Sequence, residues 1–344
     1  MKRLSRMLSC MIAILFFACA VASSAAPKKP KVDPDAALRA ALNAAQTMYY
    51  GGGNFYEVLF ANFSATAANA TATKAFNAKA AGDYSSFVTL YTALQAMNRY
   101  QVLPSTAGAD LILIDDAGGW GVQVLDGKTL QRIGTLKMNA FTALSREKWA
   151  ASITKQLLGF AGNSKSAKAI VVNPPPSFSA WMGEGIGDAA TSSRLQAAHS
   201  ILIADQSPNA SDGTFRFAIP VPDVPGQLAS MLQSDLTTWG RYQVVSKVAD
   251  ADLVTSFYSA SNCSYAGSTT EYVGKVKESV PNLNCSGSPV VGLIFLDAKT
   301  LLPVGFLQVD APPISNKKGQ PDPRGVAFQV LIDAWKSKIA AATP

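Results

Sequence analysis

The chain has a single histidine, His199, and only four cysteines in 344 residues. Charged residues make up 15% of it, against roughly 25% in an average soluble domain. These shortages exclude chemistry before any motif is weighed. A Ser-His-Asp triad would have to use His199, and no Gly-x-Ser-x-Gly elbow accompanies it. Nitrogen and sulfur ligands are too few for a zinc centre, and no alternating Asp/Asn run offers a calcium loop. Gly51-Gly52-Gly53 is not followed by Gly-Lys-Ser/Thr, so it reads as a turn rather than a phosphate cradle. Ser152-Ile-Thr-Lys155 matches Ser-x-x-Lys, but the required Lys-Thr-Gly strand is missing: Lys128-Thr129 and Lys299-Thr300 both run into Leu. No Arg/Lys stripe interleaved with aromatics is present, which argues against a nucleic-acid partner. The expectation is a protein with no catalytic residue, no metal and no cofactor.

What is present begins with a leader. Lys2, Arg3 and Arg6 precede an apolar run from Met7 to Val21, and small residues follow from Ala22 to Ala26. This is the pattern of a signal peptide over residues 1–25, with cleavage after Ala25 or Ala22. The apolar run is shorter than the roughly 20 residues of a membrane-spanning helix, and no other stretch is long enough. The expected location is periplasmic or secreted. Phe16-Phe17-Ala18-Cys19 offers an alternative, a lipoprotein box with Cys19 lipidated and the protein anchored. The formal charge of +7 is concentrated here. Three positive charges lie in the leader, and Lys28, Lys29 and Lys31 lie in a Pro/Lys-rich tail over 26–33, so the remaining body is close to neutral. Outside the leader only Cys263 and Cys285 remain. In an exported chain, two cysteines within one polar insertion are expected to form a disulfide.

The body repeats itself. Leu42–Tyr50 resembles Leu195–Ile203; Arg99-Tyr-Gln-Val102 returns as Arg241-Tyr-Gln-Val244; Ala109-Asp-Leu111 returns as Ala251-Asp-Leu253. Leu125-Asp-Gly-Lys-Thr-Leu130 returns as Leu296-Asp-Ala-Lys-Thr-Leu301, each followed by a glycine, Gly134 or Gly305. The order is preserved throughout. Each copy reads as β-α-β-β-β-β-α, a mostly antiparallel sheet with helices on one face, in the α/β (α+β) class. The first copy spans 34–162 and the second 195–344, joined by a linker over 163–194 with Pro174-Pro175-Pro176. In copy one, Asp83 is read as the N-cap of a helix with Phe87, Leu90, Leu94 and Met97 on its apolar face, and Ser145 as the cap of the closing helix. Asp110, Asp252, Asp126 and Asp297 are read as turn or strand-start acceptors rather than acid/base pairs. Residues 259–288, polar and Gly/Ser-rich, are read as an enlarged loop inserted in copy two, and Ala167–Asn173 are a candidate extra strand. The uncovered face of each sheet must meet water, the other copy or a partner. Trp149, Trp239 and Trp335 fall on helix apolar faces; Trp120 and Trp181 lie in loops and are the candidates for an exposed contact.

The succession of helix, Arg-Tyr-Gln-Val, Ala-Asp-Leu, hairpin around Leu-Asp-x-Lys-Thr, and helix resembles a group of bacterial periplasmic domains. It is similar to the N-terminal domain of the translocation protein TolB, to the domain of the curli-secretion lipoprotein, and to the lipoprotein activators of peptidoglycan synthases. The chain differs in having the domain twice and in lacking a β-propeller. The resemblance implies a non-catalytic protein that binds other envelope proteins; the open sheet edges, able to accept a partner strand, and the lack of catalytic groups lead to the same expectation, with the disulfide-bearing insertion read as the specificity element. The alternative is a small-ligand or glycan-binding protein using a cleft between the copies, with Trp181 or Trp120 as a stacking surface.

Overall fold

The structure, a computed structural model, describes residues 33, 35–52, 70–115, 121–137, 145–162, 171–181, 188–204, 227–261, 264–273, 276–284, 289–310 and 323–340. The chain divides into a short unit, Met1–Ala36, and a main body, Ala37–Pro344. The main body holds both copies of the repeat.

The first copy runs α1 (Ala36–Ala44), β1 (Thr47–Gly52), α2 (Ala70–Ala96), β2 (Gln101–Leu103), β3 (Leu111–Asp115), β4 (Gly121–Asp126), β5 (Arg132–Lys137) and α3 (Arg146–Ala161). Two short helices follow, α4 (Phe178–Trp181) and α5 (Asp188–Ala197). The second copy continues with β6 (Ser200–Ile203), α6 (Gln227–Trp239), β7 (Gln243–Val245), β8 (Leu253–Ser261), β9 (Ser264–Val273), β10 (Val276–Asn284), β11 (Pro289–Asp297), β12 (Pro303–Asp310) and α7 (Pro323–Ala340). The sheets are ordered β2-β1-β3-β4-β5 and β7-β6-β8-β11-β12, the same topology twice.

Each sheet is mixed. β3, β4 and β5 form an antiparallel meander, as their short turns require. β1 is parallel to both β2 and β3, because helix α2 carries the chain back from the end of β1 to the start of β2. The second sheet repeats this, with β6 parallel to β7 and β8 and β11 antiparallel to β8 and β12.

The apolar runs of the central strands are explained by burial on both faces. Along β3, Leu111 and Leu113 point into a core with helix residues Leu42, Phe87, Leu90, Ile153 and Leu157. The alternate residues Ile112 and Ile114 point the other way, into a core shared with Leu202, Val254, Ile294 and Leu296 of the second sheet. β11 divides likewise: Leu293 and Phe295 meet Leu232, Phe328 and Trp335, while Ile294 and Leu296 enter the shared core. The body is therefore four layers, helix–sheet–sheet–helix, and the face that each copy leaves uncovered by its helices is covered by the other copy.

Two expectations are corrected here. α2 is one continuous helix from Ala70 to Ala96, and Asp83 lies in its interior rather than at its cap. The Ala-rich stretch before Asp83 has high helix propensity and simply prolongs the helix. The insertion in copy two is largely β-structure, not loop: β8 is extended to nine residues, and β9 and β10 form a separate antiparallel ladder whose strands lie against α2 of the first copy. Ser145 caps α3 as read, its Oγ accepting from Lys148 N at 3.3 Å.

Candidate functional site: the outer sheet edges

The recurring motifs hold the fold together. Arg99 donates to the carbonyls of Ala45 (3.1 Å), Leu42 (3.3 Å) and Asn43 (3.1 Å) at the C-terminal end of α1, and lies 4.3 Å over the Tyr100 ring. Tyr100 Oη donates to the Leu42 carbonyl at 2.9 Å. Arg241 and Tyr242 repeat this at the end of α5, donating to Ala198, Gln196 and Leu195. These cations and hydroxyls satisfy carbonyls that a helix end leaves without partners.

Asp110 opens β3 and accepts from Gln46 N (2.8 Å) and Thr47 N (3.0 Å). Partial burial pushes its carboxyl up, but the bonds from Gln46 and Thr47 outweigh this and leave it below the usual carboxylate range. Asp252 is equivalent: the bond from His199 N, helped by those from Ser200, holds it low against partial burial. His199 thus serves this contact through its backbone N–H, at a strand end. Asp126 Oδ1 accepts from Lys128 N, Thr129 N and Thr129 Oγ1, and Asp297 Oδ1 from Lys299 N, Thr300 N and Thr300 Oγ1. The motif leucines that follow adopt positive φ, 59° at Leu130 and 49° at Leu301, and both are buried in the core between the sheets.

That core closes the space between the copies. Hydrogen bonds cross it in a symmetric pair: Thr106 N donates to Lys299 O at 2.7 Å and Val248 N to Lys128 O at 2.8 Å. Thr106 and Val248 each stand seven positions after the motif arginine. Thr106 Oγ1 also donates to Ala298 O at 2.7 Å, and Tyr49 Oη to Thr300 O.

Trp181 is not an exposed contact. It is 4% exposed and belongs to the helix-side core of the first copy. Its ring lies 5.6 Å from Tyr84 and 6.0 Å from Phe87, and Phe178 joins the same nest. Trp181 reads from the sequence as a loop residue; the seat that buries it is supplied by Tyr84 and Phe87 on α2. Trp120, Cys263 and Cys285 lie outside the described residues. Ser152 and Lys155 are on α3, where Ser152 Oγ accepts from Gln156 at 3.5 Å. Among the described residues no group of three His, Cys, Asp or Glu could hold a metal ion, and no helix is long and apolar enough to cross a membrane.

One polar group departs from the scaffold pattern. Tyr50 Oη donates to Asp115 Oδ1 at 2.7 Å, beside the aromatic nest, with Tyr50 stacked on Phe87 at 5.0 Å. Lost hydration pushes the Asp115 carboxyl up to about 7; the Tyr50 bond opposes this and the nearby Asp83 charge adds to it. Burial likewise raises the Tyr50 hydroxyl. At the equivalent strand positions the second copy has Ile203 and Phe257, so this pair is particular to the first copy.

The two outer edges next to the helix crossovers differ. At β2 the linker lies along the edge as a strap. Gln101 Nε2 donates to Val171 O at 2.8 Å, and Gln101 Oε1 accepts from Val171 N at 2.7 Å. Asn173 Nδ2 donates to Val102 O at 2.8 Å, Gln95 Nε2 to Asn173 O at 2.5 Å, and Tyr84 Oη to Pro176 O at 2.7 Å. Residues 171–173 of the expected extra strand form no strand; they are bound to the sheet edge through side-chain amides instead, and 167–170 lie outside the described residues. At β7 the equivalent Gln243 is exposed and forms no side-chain hydrogen bond among the described residues. Val102 is 1% exposed, whereas its counterpart Val244 is only partly buried.

No protein-family model, no curated protein and no solved structure matches this chain.

Proposed function

We propose that the protein is a non-catalytic, exported binding protein that engages another protein of the bacterial envelope through an outer sheet edge. One observation carries this reading. Both broad faces of both sheets are taken up, by helices outside and by the partner sheet inside, so the backbone still able to pair is at the edges. Exposed edge strands accept partner strands readily. The similarity to TolB-like and curli-lipoprotein-like domains points to the same role, though its short motifs are explained by helix capping and turn closure. The cleft reading, a small ligand or glycan held between the copies, loses support because that space is a packed apolar core and Trp181 is buried elsewhere.

The test is site-specific photocrosslinking in the source cell envelope. A crosslinker is placed in turn at Ser246, exposed at the end of β7, at the outer strands β5 and β12, and at Leu158, an exposed position on α3. A discrete adduct with an envelope protein is expected from an edge position and not from Leu158. Adducts from none of the edges overturn the reading. Export is tested by sequencing the mature N-terminus, which is expected to follow Ala25 or Ala22; a lipidated Cys19 would instead make the protein membrane-anchored.

A further inference from the structure

The two copies share strand order, register and motif, so one can be read as a template for the other. β1 and β2 pair Thr47 with Gln101, Met48 with Val102 and Tyr49 with Leu103. β6 and β7 pair Ser200 with Gln243, Ile201 with Val244 and Leu202 with Val245. The inner bonds coincide as well: Gln101 N donates to Gln46 O at 2.9 Å and Gln243 N to His199 O at 2.8 Å. Because alternate residues of a strand turn their backbone groups to opposite sides, Val244 presents its carbonyl outward, as Val102 does. Gln243 then stands where Gln101 stands, beside an outward carbonyl.

We propose that the outer edge of β7 binds an extended peptide segment of a partner protein, gripped by the Gln243 side-chain amide and carrying an asparagine two residues beyond the gripped position. The occupant's chemistry is given by the strap on β2. There the glutamine amide takes both backbone groups of one residue, Val171, and Asn173 reaches the outward carbonyl of Val102. A single side-chain amide thereby replaces one step of a β-ladder, which suits an edge only three residues long. The partial exposure of Val244, where Val102 is sealed, marks the area such a segment would cover. The strap's other anchors are not repeated. Phe87 and Gln95 correspond to Ala229 and Thr237, so α6 lacks the aromatic seat that holds Trp181. The β7 site accordingly takes a short segment recognised at the edge itself, delivered and released by another chain. This inference rests on the protein-binding reading above and specifies where that binding occurs.

The probe is a fluorescently labelled peptide with the sequence of residues 168–176, which includes the strap from Val171 to Pro176, titrated into the full mature protein and followed by anisotropy. Saturable binding is expected. Gln243→Ala should weaken it about thirtyfold, the loss of two neutral hydrogen bonds. Alanine in place of the peptide's asparagine should weaken it about fivefold. Gln101→Ala should leave it unchanged. Gln243 is exposed, so its variant keeps the fold. Absence of saturable binding overturns the proposal. So does loss of binding in Gln101→Ala but not in Gln243→Ala, since the peptide would then be exchanging with the strap. A wild-type dimer in sedimentation that Gln243→Ala dissociates, with no peptide bound, assigns the edge to a second copy and also overturns it. If the peptide fails to bind while crosslinking at β5 or β12 captures an envelope protein, this site falls and the binding function stands. If the peptide binds and no edge yields an adduct, the converse holds.

Discussion

Arg99 closes the end of a helix more than fifty residues earlier in the chain, and does so from a stacked position on its own neighbour, Tyr100. Its planar fork serves three carbonyls at once, which an ammonium on a flexible stem does not reproduce. Removing it takes the guanidinium donor from the Ala45 and Asn43 carbonyls and leaves Leu42 with Tyr100 Oη alone. Arg99→Ala is therefore expected to lower unfolding free energy by about 2–4 kcal/mol in urea titration, and Arg99→Lys to recover less than half of that. An unchanged midpoint would show that water replaces the guanidinium. Asp115 supplies a different residue-scale test. Its folded carboxyl holds its proton up to about 7, while the unfolded carboxyl releases it near 3.8. Between those values the folded state binds the extra proton, so the stabilisation is complete below about pH 4 and is lost as pH rises through 7. The melting temperature should fall between pH 4.5 and pH 8 by on the order of 5 °C. Asp115→Asn should remove that slope; a slope that survives would place its origin elsewhere.

At the scale of the element, close approach and strapping decide what each helix and edge can do. A Cβ on Gly305 would lie 2.3 Å from Thr191 Cγ2 on α5, and one on Gly134 would lie 3.0 Å from Leu38 Cδ2 on α1. The motif glycine is thus the contact point between a helix and the outermost strand in both copies. Gly305→Ala should cost about 1–3 kcal/mol by overpacking, and Thr191→Ala in the same chain should restore part of it in the same denaturation assay. Gly134→Ala, facing a flexible leucine, should cost less. The repeat, the strand order of the meander and the Ser145 cap were legible in the sequence, because each is signalled by a few residues in fixed spacing. The strap was only partly legible. A segment that pairs through Gln101 and Asn173 side chains carries no alternating pattern, and the seat for Trp181 is assembled from one face of α2, so the tryptophan reads locally as a loop residue. The start of α2 was misread because Asp83 has the chemistry of a cap, while the alanines before it continue the helix without one. The role of the exposed Gln243 on β7 was illegible from that residue alone; only the comparison with Gln101 in place gives it meaning.

For the whole molecule, the shared core has the larger consequence. The apolar runs of β3 and β11 showed that these strands are buried, but not what covers their second face. Ile112, Ile114 and Leu125 of one sheet pack with Val254, Ile294 and Leu296 of the other, and the turn leucines Leu130 and Leu301 are buried between them. Neither copy has a complete core alone, since each separated sheet would expose that whole face to water. The two repeats should therefore unfold together despite each having its own helices. Tryptophans make this measurable: Trp149 and Trp181 pack in the first copy's helix-side core, and Trp239 and Trp335 in the second's. Two variants, one retaining only Trp335 and one only Trp181, should give coincident urea transitions by fluorescence. Leu301→Asp, which places a charge in the shared core, should shift both transitions downward by the same amount, about 3 kcal/mol or more. Transitions that separate, or a Leu301→Asp effect confined to the second copy's reporter, would mean that each copy holds its fold independently. The sheet-to-sheet face would then be a candidate for opening, and the cleft between the copies would regain a claim as a ligand site.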